Sequence, residues 1–248
     1  MNYYARYIRT LKTAGEKRLA RGLPTFSKMG VVFASKVGTT FRRPADNPLI
    51  GFMEGLQFVA GTFDLSQIER IAPRAQLDLF GPMSSYGPRV VTQVERVIWE
   101  LQKDSHTRRA VLTLVDRDEP YEDRPCTTSL QFMVREQVLE TLVTMRSSDA
   151  VWGLPYDLIQ FSLMSEMVAR CTGYPASGLI VHIGDAHLYE NTMHLATGFT
   201  PWTFLVPENG CTTYCKWREW ALEQIPLLSM SEIKQNWSFK QASSSWMS

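Results

Sequence analysis

A thiol, a basic–hydroxyl pair and two carboxylates fall within one stretch of the chain, Arg124 to Asp157, which reads RPCTTSLQFMVREQVLETLVTMRSSDAVWGLPYD. Cys126 follows Pro125 at the head of a strand-like run. The run turns, returns through Leu142 and Val143, and ends in the polar cluster Arg146-Ser147-Ser148-Asp149. A Gly153-Leu154-Pro155 turn follows, and Asp157 stands at the start of a helix. These residue types suit nucleophilic attack by sulfur on an anionic substrate. The thiolate is the reactive form, and a neighbouring cation favours it. Arginine offers a planar fork of donors that matches phosphate oxygens. A cysteine without such neighbours is more often a small core residue.

Two further sites carry the same kind of signal. The segment NPLIGFMEGLQFVAG is apolar nearly all round over Leu49, Phe52, Met53, Leu56, Phe58 and Val59, so it reads as a buried helix. Glu54 sits inside it, and a carboxylate there needs a partner or a raised pKa. In GDAHLY, His187 and Tyr189 are two apart on a strand-like segment, so both side chains face the same way and can converge on one sugar hydroxyl.

Composition narrows the class. The 248 residues carry 26 Lys+Arg against 25 Asp+Glu, a formal net charge of +1, so there is no bulk electrostatic case for a nucleic-acid partner. Hydrophobic residues make up 44%, enough for a sizeable core within one domain spanning residues 1–248. The four cysteines, Cys126, Cys171, Cys211 and Cys215, are too sparse for a disulfide scaffold, and none lies in a zinc-ligand pattern. No metal is expected. The N-terminus has no apolar signal core and no run reaches membrane-spanning length, which together predict a reduced, cytoplasmic setting.

The positioning elements follow from pattern. Tyr3 to about Arg21 reads as an amphipathic helix through Tyr7, Ile8, Leu11 and Leu19, ended by Gly22 and Pro24. Val31–Ser35 and Thr39–Arg42 read as short strands. Val90–Lys103 reads as an amphipathic helix with Val94, Val97, Ile98 and Leu101 on one face, and Ala110–Val115 as a strand. Leu158–Arg170 is a buried helix that Gly173 stops, and Gly178–Ile183 a strand. Phe204–Cys215 reads as a strand pair about Glu208-Asn209-Gly210, because Asn-Gly favours a tight turn. Lys216–Gln224 is helical, and no repeat or linker is visible.

The motifs together resemble the thymidylate synthase family, and within it the pyrimidine-nucleotide hydroxymethylase branch. The resemblance covers roughly residues 18–198 and rests on Pro125-Cys126, Arg146-Ser147-Ser148-Asp149, Gly153-Leu154-Pro155-Tyr156-Asp157, Gly-Asp-Ala-His187-Leu-Tyr189, Glu54 with Phe58 and Gly61, and the Tyr86-Gly87 loop. It implies an α+β fold, one domain with a large mixed sheet backed by helices. It also implies Cys126 as nucleophile, Glu54 as a residue that orders water and moves protons at the pyrimidine, and phosphate contacts from Arg21, Arg146 and Ser147. Arg108 and Arg109 would contact the phosphate of the partner subunit, which makes a homodimer. His187 and Tyr189 would hold the sugar, and Asp149 and Tyr86 the folate. Methylenetetrahydrofolate is the implied co-substrate.

Three departures matter. Asp157 stands where the synthase has asparagine, as in hydroxymethylases of the T-even phage type. A carboxyl accepts from the amino group of cytosine and, when protonated, donates to its ring nitrogen. Gln57 replaces a tryptophan of the glutamate motif, and a tryptophan-bearing segment that helps hold the synthase cofactor for hydride transfer is missing before Tyr86. Asp157 and the missing segment imply a deoxycytidylate 5-hydroxymethyltransferase. Still open are a cytidylate hydroxymethylase of nucleoside-antibiotic synthesis, a thymidylate synthase or deoxyuridylate-modifying enzyme, and an inactive relative that only binds a nucleotide or an RNA.

Overall fold

The computed structural model describes residues 3–20, 22–72, 86–120 and 124–242. Arg21, the tail beyond Ala242 and most of the loop before Tyr86 lie outside the described residues. A six-stranded sheet forms the centre, in the order β1 (Glu16–Ala20), β2 (Leu23–Lys36), β7 (Ala176–Tyr189), β6 (Val138–Asp149), β5 (Thr127–Arg135) and β4 (Val111–Thr113). It is mixed: β6 and β7 run parallel, and the other neighbours are antiparallel. Strands β3 (Thr39–Arg42), β8 (Thr200–Thr203) and β9 (Lys240–Gln241) make a second, smaller sheet. The expected α+β architecture, a large mixed sheet backed by helices, is what the chain adopts.

Helices α1 (Tyr3–Ala14), α4 (Val94–Lys103) and α5 (Leu154–Thr172) pack on one face of the large sheet, and α2 (Leu49–Ala60) packs on α5. Helix α3 (Leu65–Ile71) follows α2, and α6 (Tyr214–Leu227) and α7 (Met230–Gln235) precede the last strand. The buried side chains form one connected core. Its C-terminal part is aromatic, with Phe52 edge-on to Phe204, Trp237 and Phe239 at ring-centre distances of 4.9, 5.1 and 5.6 Å. No helix among the described residues is long and apolar enough to cross a membrane.

Helices α2 and α5 pack backbone to backbone because α2 carries glycine at two positions four apart. A Cβ on Gly51 would stand 3.2 Å from the Cα of Tyr156, and one on Gly55 would stand 3.2 Å from the Cα of Gln160 and 2.4 Å from a methyl of Leu163. Removing both Cβ atoms lets the backbones approach. Glu54, between the two glycines, is therefore carried against the first turns of α5.

Three sequence expectations need correction. The N-terminal helix stops at Ala14, where the Gly15 amide bonds the Leu11 carbonyl at 3.0 Å, and the chain returns as β1, paired with β2. Leu19, counted on the apolar face, is 76% exposed on that strand. The helix predicted from Val90 is broken: a short turn covers Gly87–Val90 and α4 begins at Val94, with the four predicted apolar residues buried. No hairpin forms over Phe204–Cys215. Strand β8 is already paired on both sides, by β3 and β9, and the segment after it is held by Arg170 donating to the Val206 and Pro207 carbonyls at 2.8 and 2.9 Å. The Asn209 side chain accepts from the Cys211 amide at 3.0 Å, so the Asn-Gly pair makes a local turn.

Other boundaries fall where pattern puts them. The strand read as Thr39–Arg42 has those ends. Helix α5 ends on Gly173 in the left-handed conformation, φ 81°. Strand β2 is longer than expected, at 14 residues, because it pairs with β7 along nearly all of its length.

Candidate active site

Nine of the residues singled out from sequence, Glu54, Tyr86, Cys126, Arg146, Ser147, Asp149, Asp157, His187 and Tyr189, meet in one cleft of about 410 Å³, at the ends of β6 and β7 and the start of α5. Parallel pairing brings two motifs together: Ser147 lies opposite Asp185 and Asp149 opposite His187. Strand β2 supports them from the other side, with Ser27 opposite His187 and its hydroxyl donating to Asp185.

Cys126 enters at the head of β5 and is half-buried in the cleft wall. The β5–β6 register shifts between Thr127 and Ser129, an irregularity of the kind that re-aims a side chain beside a site. Its sulfur stands 3.6 Å from the Ser147 hydroxyl. Arg146 holds the approach: its Nε donates to the Pro125 carbonyl at 3.1 Å and its Nη2 to the Arg124 carbonyl at 2.8 Å, while its amide bonds the Cys126 carbonyl at 2.8 Å. Nη1 reaches the Ser147 hydroxyl at 3.4 Å. One guanidinium thus fastens the backbone before the thiol and points charge at the hydroxyl beside it.

The opposite wall is built on carboxyls. Glu54 is the only residue of α2 that is not fully buried, and it lines the cleft. Burial pushes its carboxyl well above the usual range, and the negative charge of Asp157 pushes the same way. Asp157, 8% exposed in the first turn of α5, is raised by burial from 3.8 to about 7, against a smaller opposing effect of the Tyr86 hydroxyl. Tyr86 donates to Asp157 at 3.4 Å and accepts from Thr127, next to the nucleophile, at 2.8 Å. Burial, with Asp157, Cys126 and Glu54 nearby, holds its phenol protonated.

Asp149 closes the end of β6. Its Oδ1 accepts from the amides of Val151 and Trp152 at 2.6 and 3.2 Å, fixing the turn into α5, while burial raises its carboxyl above the ordinary value. His187 and Tyr189 project from β7 into the cleft with ring centres 5.1 Å apart, edge to face. The Nδ1 of His187 lies 3.3 Å from the Asp185 carbonyl oxygen. Arg108 and Arg109 are elsewhere: both are exposed, and Arg109 pairs with Glu100 at 3.3 Å.

Comparison with known proteins decides the family. A model of the family described as "Thymidylate synthase" matches residues 67–199, more than half of the chain. The chain belongs to the thymidylate synthase family. It is 33% identical over 104 residues to a thymidylate synthase of Phytoplasma mali, 32% over 121 residues to one of Oenococcus oeni, and 35% over 107 residues to one of Leuconostoc mesenteroides. These stretches cover 41%, 46% and 42% of this chain and 36%, 38% and 33% of the relatives. The chain thus spans well under half the length of the curated relatives it matches. Glu54 lies before the family-matched residues, yet the fold delivers it to the same cleft as Cys126.

Sequence reading missed several lining residues of this thymidylate synthase-family cleft, among them Trp152, Tyr156, Gln160 and Asp185. Asp185 is recoverable, since it sits two before His187 on the same strand face. Gln160 is the one long polar side chain three residues after Asp157 in an apolar helix, a spacing that shares a face. Trp152 and Tyr156 carry no such signal, because apolar aromatics read as core.

The raised Asp157 has a consequence for stability. Its folded value exceeds its unfolded one, so the fold holds the proton more tightly than the unfolded chain. The stabilisation is complete below about pH 4 and is lost as pH rises through about 7. Asp157→Asn removes that loss. In denaturant titrations the variant should gain on the wild type between pH 5 and pH 8.5, by about 2–4 kcal/mol. A difference that stays constant with pH would show that Asp157 ionises freely in the fold.

Proposed function

We propose that the chain transfers a one-carbon unit to carbon 5 of a cytosine nucleotide, deoxycytidylate, and completes the reaction with water, giving 5-hydroxymethyl-deoxycytidylate. Family membership supports folate-dependent one-carbon transfer to a pyrimidine nucleotide. The observation that carries the cytosine reading is Asp157, a buried carboxyl raised to about 7 on the cleft wall. In its protonated form, which a value of about 7 keeps well populated at neutral pH, it donates to the cytosine ring nitrogen, and its other oxygen accepts from the exocyclic amino group. Uracil presents the opposite pattern at the ring nitrogen.

The residues divide the work as follows. Cys126 thiolate adds to carbon 6, which turns carbon 5 into an enolate-like nucleophile. Methylenetetrahydrofolate, when bound, supplies the one-carbon unit. The cleft suits its flat pterin: Asp149 and Trp152 offer a hydrogen-bonding carboxyl and an indole surface side by side. Glu54, held above the usual carboxylate range, moves protons at the base once carbon 5 is substituted and loses its hydrogen. With tetrahydrofolate released as the leaving group an exocyclic methylene remains, and water adds at its carbon as the sulfur leaves carbon 6. His187 and Tyr189 hold the sugar, and Arg146 with Ser147 the phosphate.

The reading includes a second copy of the chain. Arg21, Arg108 and Arg109 are the further phosphate ligands implied by the family resemblance, and the last two lie away from this cleft. The sheet face opposite the helices offers a place for the partner. Ala34, Ile180, Leu142 and Gln131 lie in register across four strands there, with Val32 57% and Ile180 39% exposed. A symmetric dimer on such a face would let each subunit lend its arginines to the other.

A second reading, methylation of deoxyuridylate, is favoured by the names of the relatives. Incubation with methylenetetrahydrofolate and, separately, deoxycytidylate, cytidylate and deoxyuridylate separates the two. Mass spectrometry follows the nucleotide and absorbance follows dihydrofolate. The expected result is hydroxymethylated deoxycytidylate without dihydrofolate, and a shift toward uracil in Asp157→Asn. A preference for cytidylate would assign the ribonucleotide reaction. Methylated deoxyuridylate with dihydrofolate would overturn the proposal.

The shared site has its own test. Arg108→Ala/Arg109→Ala and Cys126→Ala should each be inactive or nearly so at low nucleotide concentration. Mixing the two after reversible dissociation should restore turnover, because one hybrid site keeps both the thiol and the arginines. No recovery from hybrids shown to form would mean that each subunit works alone.

A further inference from the structure

Gln160 takes no part in the bond-making steps of this reaction, yet it occupies a demanding position. It is 5% exposed, on α5, three residues after Asp157, and it lines the cleft. Its Nε2 donates to Oε2 of Glu54 at 3.0 Å, across the α2–α5 contact. The Gly55 notch makes that reach possible, because the Gln160 backbone lies where a Cβ on residue 55 would point. An amide buried in this way is costly unless it is bonded, and Glu54 is its partner.

We propose that Gln160 is a positioning residue: it anchors one oxygen of the Glu54 carboxyl, so that the other oxygen carries and exchanges the proton on the cleft side. The physical case is geometric. A carboxyl at the end of a glutamate side chain can rotate about its last bond, and both oxygens are equivalent until one is engaged. A donor on Oε2 breaks the equivalence. The acid proton is then carried by Oε1, and the carboxyl plane is fixed relative to the base. Glutamine suits this task better than lysine or arginine. A cation would hold Glu54 ionised, whereas a neutral amide bonds either protonation state and favours the anion only modestly.

The groups facing Glu54 make the expected direction clear. Asp157 and Tyr156 come from α5, and Tyr86 comes from the loop before α4. Cys126 lines the same cleft. Asp157 can only push Glu54 toward its neutral form, and the amide of Gln160 is the donor bonded to its carboxyl. Losing that donor removes an interaction that favours the charged carboxylate, so the Glu54 pKa should rise further.

The proposal rests on the one-carbon-transfer reading, and the experiment keeps the two apart. Gln160→Met preserves volume and removes the donor. Its kcat should fall about 10- to 100-fold, with KM for the nucleotide nearly unchanged, and the limb of the kcat–pH profile governed by Glu54 should move to higher pH. Gln160→Asn keeps an amide one methylene short and should behave in the same direction, so it replaces the methionine variant if that one does not fold. A readout independent of turnover is infrared difference spectroscopy against Glu54→Gln, in which the protonated Glu54 carbonyl band should move to higher frequency when the donor is lost. Wild-type kcat, pH profile and carboxyl band in a folded variant would overturn the role of Gln160. Absence of turnover in the wild type with every nucleotide would instead sink the proposed function, and the infrared band would still decide whether Gln160 holds Glu54.

Discussion

The structure depends on one close contact, the approach of α2 to α5 over Gly51 and Gly55. Without Cβ atoms at those positions the helix backbones come near enough for Glu54 to meet Gln160 and to stand within electrostatic reach of Asp157. Two carboxyls placed together out of water cannot both ionise cheaply. Burial raises the proton affinity of both, the charge of Asp157 raises that of Glu54 further, and neither behaves as an ordinary surface charge. On the same helix, Phe52 packs edge-on against Trp237 with ring centres 5.1 Å apart and anchors α2 in the core.

The other half of the cleft has a different logic. Among the described residues, the pairing of β6 with β7 is the only parallel contact in the large sheet. It sets the Arg146–Asp149 cluster beside the Asp185–Tyr189 segment with both chains leaving in the same direction. The polar ends of two strands thus open on one side of the nucleophile. Arg146 binds the carbonyls before Cys126 with Nε and Nη2 and the hydroxyl of Ser147 with Nη1. Positioning the thiol and presenting positive charge are done by a single side chain, which is why a lysine with one flexible ammonium could not take its place.

Much of this is legible in the order of the residues. The glutamate stands out because its neighbours in the helix, Gln57 apart, are apolar, and the His-x-Tyr pair stands out because alternate strand residues share a face. The stop of α5 at Gly173 follows from the same local rules. What pattern misses is long-range. Leu19 fits a helical period, but residues 16–20 gain more by pairing with the exposed edge of β2. The Asn-Gly pair at 209–210 promises a hairpin, but the strand it would extend has no free edge. Gln160 looks like one polar residue in an apolar helix, and only the notch in α2, a property of another segment, shows what it bonds.

The central claim is that Cys126 activates carbon 5 of a cytosine ring held by Asp157. Release of tritium from carbon 5 tests this directly, because the hydrogen must leave whichever way the reaction ends. With methylenetetrahydrofolate present, the wild type should release tritium from 5-labelled deoxycytidylate faster than from 5-labelled deoxyuridylate, and Cys126→Ser should release none. Release from deoxyuridylate alone, or release from deoxycytidylate that persists in Cys126→Ser, would contradict the account.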